Sequence, residues 1–171
     1  MNLSVRDLQE ARLPEMIAAL LAAHSVEPRL LRVEITESVL MADRARGVAV
    51  LGQLRAIGLE IAIDDFGTGY SSLAYLAELP IDALKIDRSF VSRLASGERH
   101  AAIVRSTLDM AHRLGLHVIA EGVEDRRTLM MLAEMGCDAA QGHLFAPAMP
   151  ATELEEWTQR VGQRTLWRAA A

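Results

Sequence analysis

The sequence is short of several residue types, and each shortage excludes something. Of 171 residues only Cys137 is a cysteine, which rules out an intrachain disulfide and a cysteine-built zinc cluster. A buried, inert thiol is the reading that remains. Aromatic residues make up 4% and prolines number five, so the core has to be aliphatic, with methionine as filler. The longest apolar run, Met16 to Ala23, sits between Glu15 and His24 and falls far short of the ~20 apolar residues that span a bilayer. No secretory signal is read at the start; the expected setting is cytoplasmic, with no membrane contact by this segment, although a parent protein could be anchored. No block of like charge occurs, and 23 acidic residues outnumber 18 basic ones, which argues against DNA binding by phosphate neutralisation. Lysine is nearly missing: 17 of the basic residues are arginine and one, Lys85, is lysine. A biased genome accounts for the arginines, but leaves the surviving ammonium unexplained unless it is required.

What is present fits one globular domain over residues 1–171, with 51% hydrophobic and 24% charged residues and no linker or composition break. Four apolar runs of strand length end abruptly in polar groups: Leu31–Glu37, Leu59–Asp65, Ala83–Asp87 and Leu116–Glu121. Cys137–Gly142 is a weaker fifth. Helical spacing fills the intervals: Val5 to His24 after Ser4 as N-cap, Ser38 to Ile57 closing on Gly58, a short piece over Phe90 to Leu94, Glu98 to Leu114 closing on Gly115, Asp125 to Met135 closing on Gly136, and Ala151 to Val161 after Pro150. Strict alternation predicts an α/β fold with a parallel sheet and right-handed crossovers. A doubly wound sheet would carry a glycine-rich phosphate loop after its first strand, and no G-x-G-x-x-G occurs. A TIM-type β/α barrel is therefore expected. The chain is short for the roughly 250 residues of a complete one, so the expected object is a partial barrel.

The strand-end groups are Glu34, Asp64, Asp65, Lys85, Asp87, Glu121 and Gln141. In a barrel those ends face one pocket. Several carboxylates in a small volume either lift one another's pKa or bind a divalent cation, and oxygen donors favour Mg²⁺ or Mn²⁺ over zinc. A pair of such ions is suited to in-line attack on a phosphate ester. Each group has an ordinary alternative: Glu34 and Glu37 as outward-facing strand and cap residues, Asp64-Asp65 as a turn, Lys85 as a snorkelling surface lysine, Gln141 as a cap. The histidines are scattered, with none paired at i, i+4; His143 could line the pocket but is not read as a ligand.

Val33-Glu34-Ile35-Thr36-Glu37-Ser38, Ile63-Asp64-Asp65-Phe66-Gly67-Thr68-Gly69-Tyr70-Ser71-Ser72, Leu84-Lys85-Ile86-Asp87, Ala120-Glu121-Gly122-Val123-Glu124 and Gln141-Gly142, with the opening Asn2-Leu3-Ser4, resemble in order and spacing the motifs of the EAL family of cyclic di-GMP phosphodiesterases. The resemblance implies roughly the C-terminal five to six units of a β/α barrel that hydrolyses cyclic di-GMP to linear pGpG with Mg²⁺ or Mn²⁺. It implies metal ligands at Asn2, Glu34, Asp64, Asp65 and Glu121, with Asp64 bridging. Lys85 would orient and help deprotonate water, Gln141 would hold water or phosphate, and Glu37 would anchor the loop from Phe66 to Ser72. That loop and the helix after the Lys85 strand would form a homodimer contact. Asp87 and Glu124 match motif positions and are carried as substrate-binding candidates. The parent protein is expected to carry sensory or diguanylate cyclase-type domains.

The chain also departs from the family pattern. No Glu-Ala-Leu tripeptide occurs, and with it the resemblance places a further ligand glutamate and the first barrel strands outside this sequence. His143 stands where the family more often has an aromatic. The expectation is weak hydrolysis by this chain alone, with a catalytically inactive nucleotide-binding or dimerisation module as the alternative.

Overall fold

The computed structural model describes residues 1–68 and 76–162. Two short helices, α1 (Val5–Gln9) and α2 (Leu13–Ala23), lead into strand β1 (Arg32–Thr36), followed by α3 (Glu37–Ala42), α4 (Arg44–Ile57) and β2 (Glu60–Phe66). Then come β3 (Ala83–Ile86), α5 (Arg88–Val91), α6 (Glu98–Arg113), β4 (His117–Ala120), α7 (Arg126–Glu134), β5 (Ala139–Ala140) and α8 (Ala151–Gly162). All pairings are parallel and the sheet order is β1-β2-β3-β4-β5. An order without reversal adds each strand on the same side of the last, the winding of a β/α barrel rather than of a doubly wound sheet. Five strands make an open arc of such a barrel. Residues 1–3 extend it by a sixth short partner: Leu3 N–H donates to Glu34 O (2.9 Å) and Glu34 N–H to Met1 O (2.8 Å), with Asn2 bridged in parallel to Glu34.

Strand alternation divides the sheet into two faces. Val33, Ile35, Ile61, Ile63, Leu84, Ile86, Val118 and Ala120 point to one side and join Val50, Leu51, Leu54, Val104, Leu108 and Leu132 from the helices in the main core. Each such valine, leucine or isoleucine contributes about 1.5–3 kcal/mol by its burial. The other face is the inside of the arc. Its floor is a second, smaller cluster of Ala62, Ala83, Ile119 and Ala139, and beyond that floor the same alternation brings up the polar residues.

An acidic residue just ahead of each of two strands ties it to its neighbour. Asp82 Oδ2 accepts the Ile61 N–H (3.0 Å) and Asp138 Oδ2 accepts the Val118 N–H (2.8 Å). Cys137 is buried, its thiol donates to Ala139 O at 3.2 Å, and burial pushes its pKa up to about 11, as expected of an inert sulfur.

Two expected helices are each broken in two. The stretch from Val5 to His24 divides at Glu10–Arg12, because Pro14 stands at the start of α2, where a missing N–H is harmless, and its ring excludes continuation from the preceding turn. The stretch from Ser38 to Ile57 divides at Asp43, whose carboxylate takes the Arg46 N–H (3.2 Å) as the N-cap of α4. The remaining boundaries move by a residue or two, and the piece expected over Phe90 to Leu94 is resolved into α5 and a 3₁₀ turn at Leu94–Ser96. Gly69 to Ser72, the far part of the expected loop, lie outside the described residues.

Candidate functional site

The inner-face residues above the alanine floor are Glu34, Asp64, Lys85 and Glu121, supplied by β1, β2, β3 and the exit of β4. Lys85 sits at their centre. Its Nζ lies 2.9 Å from Glu34 Oε2, 3.0 Å from Asp64 Oδ1 and 2.7 Å from Glu121 Oε1, and the residue is 3% exposed. Burial alone would push its pKa down. The hydrogen bonds to Glu121, Glu34 and Asp64 outweigh it and hold the ammonium above the ordinary lysine range. Lys85 is thus an enclosed cation, and the snorkelling alternative does not describe it.

β2 ends irregularly, with a register shift between Ile63 and Phe66, and Asp65 adopts a left-handed backbone at φ 54°. That turn brings the carboxylate of Asp65 to the same side as its neighbour, where strict alternation would have opposed them. Carboxylate oxygens of Asp64, Asp65 and Glu121 lie within 4.8 Å of one another. Burial raises the Asp65 pKa, and the charges of Asp64 and Asp87 add to it. Glu121 is raised chiefly by burial, with Lys85 acting against the shift. Four carboxylates, Glu34, Asp64, Asp65 and Glu121, therefore face one ammonium, and the deficit of positive charge is what divalent cations on oxygen donors would make up. The donor set fits Mg²⁺ or Mn²⁺.

The remaining expected residues surround this centre. Asn2 is the register partner of Glu34, and because Leu3 enters the main core, Asn2 falls on the inner face beside that glutamate. Glu37 Oε1 accepts the Gly67 N–H at 3.2 Å, just past the end of β2, while its Oε2 is buried without a hydrogen-bond partner among the described residues. Gly67 itself, at φ 95°, passes so close to Phe90 of α5 that a Cβ would lie 3.0 Å from the ring. Asp87 caps α5 through the Ser89 N–H (3.0 Å). Glu124 pairs with Arg88 at 2.7 Å, and the Arg88 stem lies across Gly122, where a Cβ would meet its Cγ at 2.3 Å. Gln141 is exposed and outside the acidic group. Its backbone is fixed on both sides, by N–H to Ala120 O (2.8 Å) and by its carbonyl accepting Val123 N–H (3.0 Å).

Two neighbours of the site were not among the sequence candidates. Arg88 follows Asp87 at a strand end and was legible as a basic group there. Thr36 is the register partner of Asp64, and its hydroxyl lies 3.0 Å from that of Ser38; only strand register reveals that placement.

A family model described as EAL domain matches residues 1–148. The chain is 44% identical over 153 residues to the bifunctional diguanylate cyclase/cyclic di-GMP phosphodiesterase MucR of Pseudomonas aeruginosa, covering 90% of this chain and 22% of that one. The MucR phosphodiesterase structure in complex with c-di-GMP superposes with a TM-score of 0.84 at 44% identity, over 90% of this chain and 62% of that one. The manganese/cy-diGMP complex of Klebsiella pneumoniae BlrP1 gives 0.81 at 32% identity, over 86% and 38%. The chain spans between 20% and 27% of the first curated relatives it matches.

Proposed function

The chain belongs to the EAL domain family, and from that membership and its acidic pocket we propose that it forms the phosphodiesterase part of a larger signalling protein, hydrolysing cyclic di-GMP to linear pGpG with Mg²⁺ or Mn²⁺. The observation that carries this reading is the convergence of Glu34, Asp64 and Glu121 on the buried Lys85 at 2.7–3.0 Å. Asn2, Glu34, Asp64, Asp65 and Glu121 would hold the metal ions. When bound, such ions supply Lewis acidity to the phosphate and lower the pKa of water.

In the hydrolysis, water attacks phosphorus, the bond from phosphorus to the ribose 3′ oxygen breaks, and that oxygen gains a proton. Lys85, held protonated by its three carboxylates, fixes Glu34, Asp64 and Glu121 in place to orient the water, and its charge draws the phosphate. Glu121, held beside Lys85 at 2.7 Å, takes the water proton and passes it to solvent, which in turn supplies the proton that the 3′ oxygen gains. Gln141 holds water or phosphate across the pocket, and Asp87 and Glu124 border the nucleotide, Glu124 through its pair with Arg88. Glu37 positions the loop from Phe66. The Gly67–Phe90 approach supports coupling of that loop to α5 and, through both, to a homodimer contact. The curated relative MucR combines this activity with a diguanylate cyclase, which supports a multidomain parent here. Among the described residues no helix is long and apolar enough to cross a membrane; the proposed site of action is the cytoplasm.

The test is conversion of cyclic di-GMP to pGpG with Mn²⁺, followed chromatographically, for this chain joined to an upstream Glu-Ala-Leu segment. Lys85→Arg should lose most turnover and keep nucleotide binding, because a planar guanidinium cannot reproduce three separate directions of donation. Unchanged turnover would overturn the assignment. The second reading is a binding module without turnover; nucleotide binding with no pGpG from the joined protein would select it. The chain by itself is expected to hydrolyse weakly.

A further inference from the structure

Resting on the metal reading above, we propose that Lys85 is a built-in competitor of the divalent cations: its ammonium holds the same carboxylates those ions need, supporting the pocket without metal and lowering its metal affinity.

The stoichiometry of donors carries the argument. An ammonium has three N–H donors, and Lys85 has three carboxylate partners at 2.9, 3.0 and 2.7 Å. Its stem rises from β3 between Leu84 and Ile86, which belong to the main core, and above Ala83, which belongs to the alanine floor. At 4% side-chain exposure, against 17–22% for the three acids, the cation lies deeper than the groups it binds. It thus has little access to water as a replacement partner. Every carboxylate that turns outward to a metal ion removes a hydrogen bond from a buried charge, which is a costly loss. A divalent ion placed on the same acids also stands within a few ångströms of the ammonium, where repulsion at an intermediate dielectric is substantial. Both effects oppose metal binding. Without metal the same cation separates carboxylates that would otherwise repel, so it stabilises the empty pocket. The lone lysine among 17 arginines suits this task, since a compact ammonium can point its donors in three directions and a flat fork cannot.

The experiment compares the 171-residue chain with Lys85→Met, similar in length and uncharged, by calorimetric titration with Mn²⁺ and by thermal melting with and without Mn²⁺. Lys85→Met should bind Mn²⁺ at least tenfold more tightly, melt several degrees lower in the absence of metal, and gain more from saturating Mn²⁺ than the wild type gains, as linkage requires. Equal or weaker Mn²⁺ binding by Lys85→Met would overturn the inference while leaving the metal reading intact. Absence of binding in both proteins would overturn both. If Lys85→Met does not fold without metal, refolding in Mn²⁺ should recover it; failure to recover counts against the proposal. Lys85→Gln, shorter and able to donate, should show the same direction of change, and an affinity unchanged from wild type would refute the role of the charge.

Discussion

Replacing Gly142 by alanine should destabilise the molecule strongly. A Cβ at this position would lie 2.2 Å from the Val123 carbonyl oxygen, 2.4 Å from its nitrogen and 2.7 Å from its carbonyl carbon. These are backbone atoms, with no rotamer to turn aside. Val123 is wholly buried and donates its N–H to Gln141 O at 3.0 Å, while its own carbonyl accepts the Leu144 N–H at 3.0 Å. Moving the two segments apart by the ångström or so a methyl needs breaks both bonds. Two backbone hydrogen bonds at about 1–1.5 kcal/mol each, with about 1–3 kcal/mol for overpacking, give a loss of about 3–6 kcal/mol, a large share of the ~5–15 kcal/mol stability of a domain. With an m-value of about 2 kcal/mol/M the urea midpoint should fall by about 2 M. Gly52 is the internal control: it lies inside α4 with nothing within 4 Å of an added Cβ, so Gly52→Ala should gain about 0.5–1 kcal/mol from helix propensity. A Gly142→Ala midpoint within about 0.5 M of wild type would refute the claim that this turn is packed backbone against backbone. Because Gly142 adjoins Gln141, the same substitution should also shift the Gln141 backbone, which is held by Ala120 O and the Val123 N–H.

Two further outcomes follow from particular contacts. Asp64→Asn should abolish Mn²⁺ binding, whereas Glu60→Gln on the same strand should leave it unchanged, since Glu60 is engaged by Arg32 at 2.7 Å at the opposite end of β2; calorimetric titration that finds Asp64→Asn binding like wild type would remove Asp64 from the site. At Asp138 burial alone would raise the pKa, but the Val118 N–H and His112 beside the carboxylate hold it below the ordinary value. A depressed native pKa contributes stability that is complete above the unfolded value near 3.9 and is lost as the pH falls through the native one. Asp138→Asn should therefore flatten the fall in unfolding free energy between about pH 5 and pH 3, and an unaltered slope in denaturant melts across that range would contradict the assignment.

The strands and the winding were legible because both are written in short-range pattern. Val33-Glu34-Ile35 and Ile61-Ala62-Ile63 alternate as a sheet with two different faces must, and the absence of a phosphate-loop motif pointed away from the doubly wound arrangement that the strand order β1-β2-β3-β4-β5 excludes. The helix breaks at Pro14 and Asp43 were less visible, since apolar spacing continues on either side of each and only the cap geometry marks the interruption. Gathering of Glu34, Asp64, Lys85 and Glu121 could be anticipated from their common place in successive strand units. Their distances could not, because they depend on register: Lys85 reaches Glu34 across β2, a contact 51 residues apart in sequence. The turn at Asp65 was hidden as well, for a left-handed aspartate depends on the whole strand exit and not on local propensity.

The acidic centre also says something that sequence pattern does not, because folding alone gives it no reason to exist. Removing an ammonium and three carboxylates from water costs several kcal/mol per ion, and replacing such a group by packed aliphatic residues is commonly neutral or stabilising. The neighbouring layer shows what the fold does when left to itself: Ala62, Ala83, Ile119 and Ala139 fill the arc with small apolar side chains. One layer further, at the strand exits, the same alternation presents Glu34, Asp64, Lys85 and Glu121 instead, and the strained backbone of Asp65 adds another carboxylate to them. A structure that needed only to be stable would continue the apolar layer. Raised pKa values at Asp65 and Glu121 are the electrostatic trace of that choice, and they are relieved by any ligand that brings positive charge to the pocket. This excess of negative charge supports the proposed reading of the pocket as a cation site, in which Lys85, the one cation the chain itself supplies there, sets the terms on which the others enter.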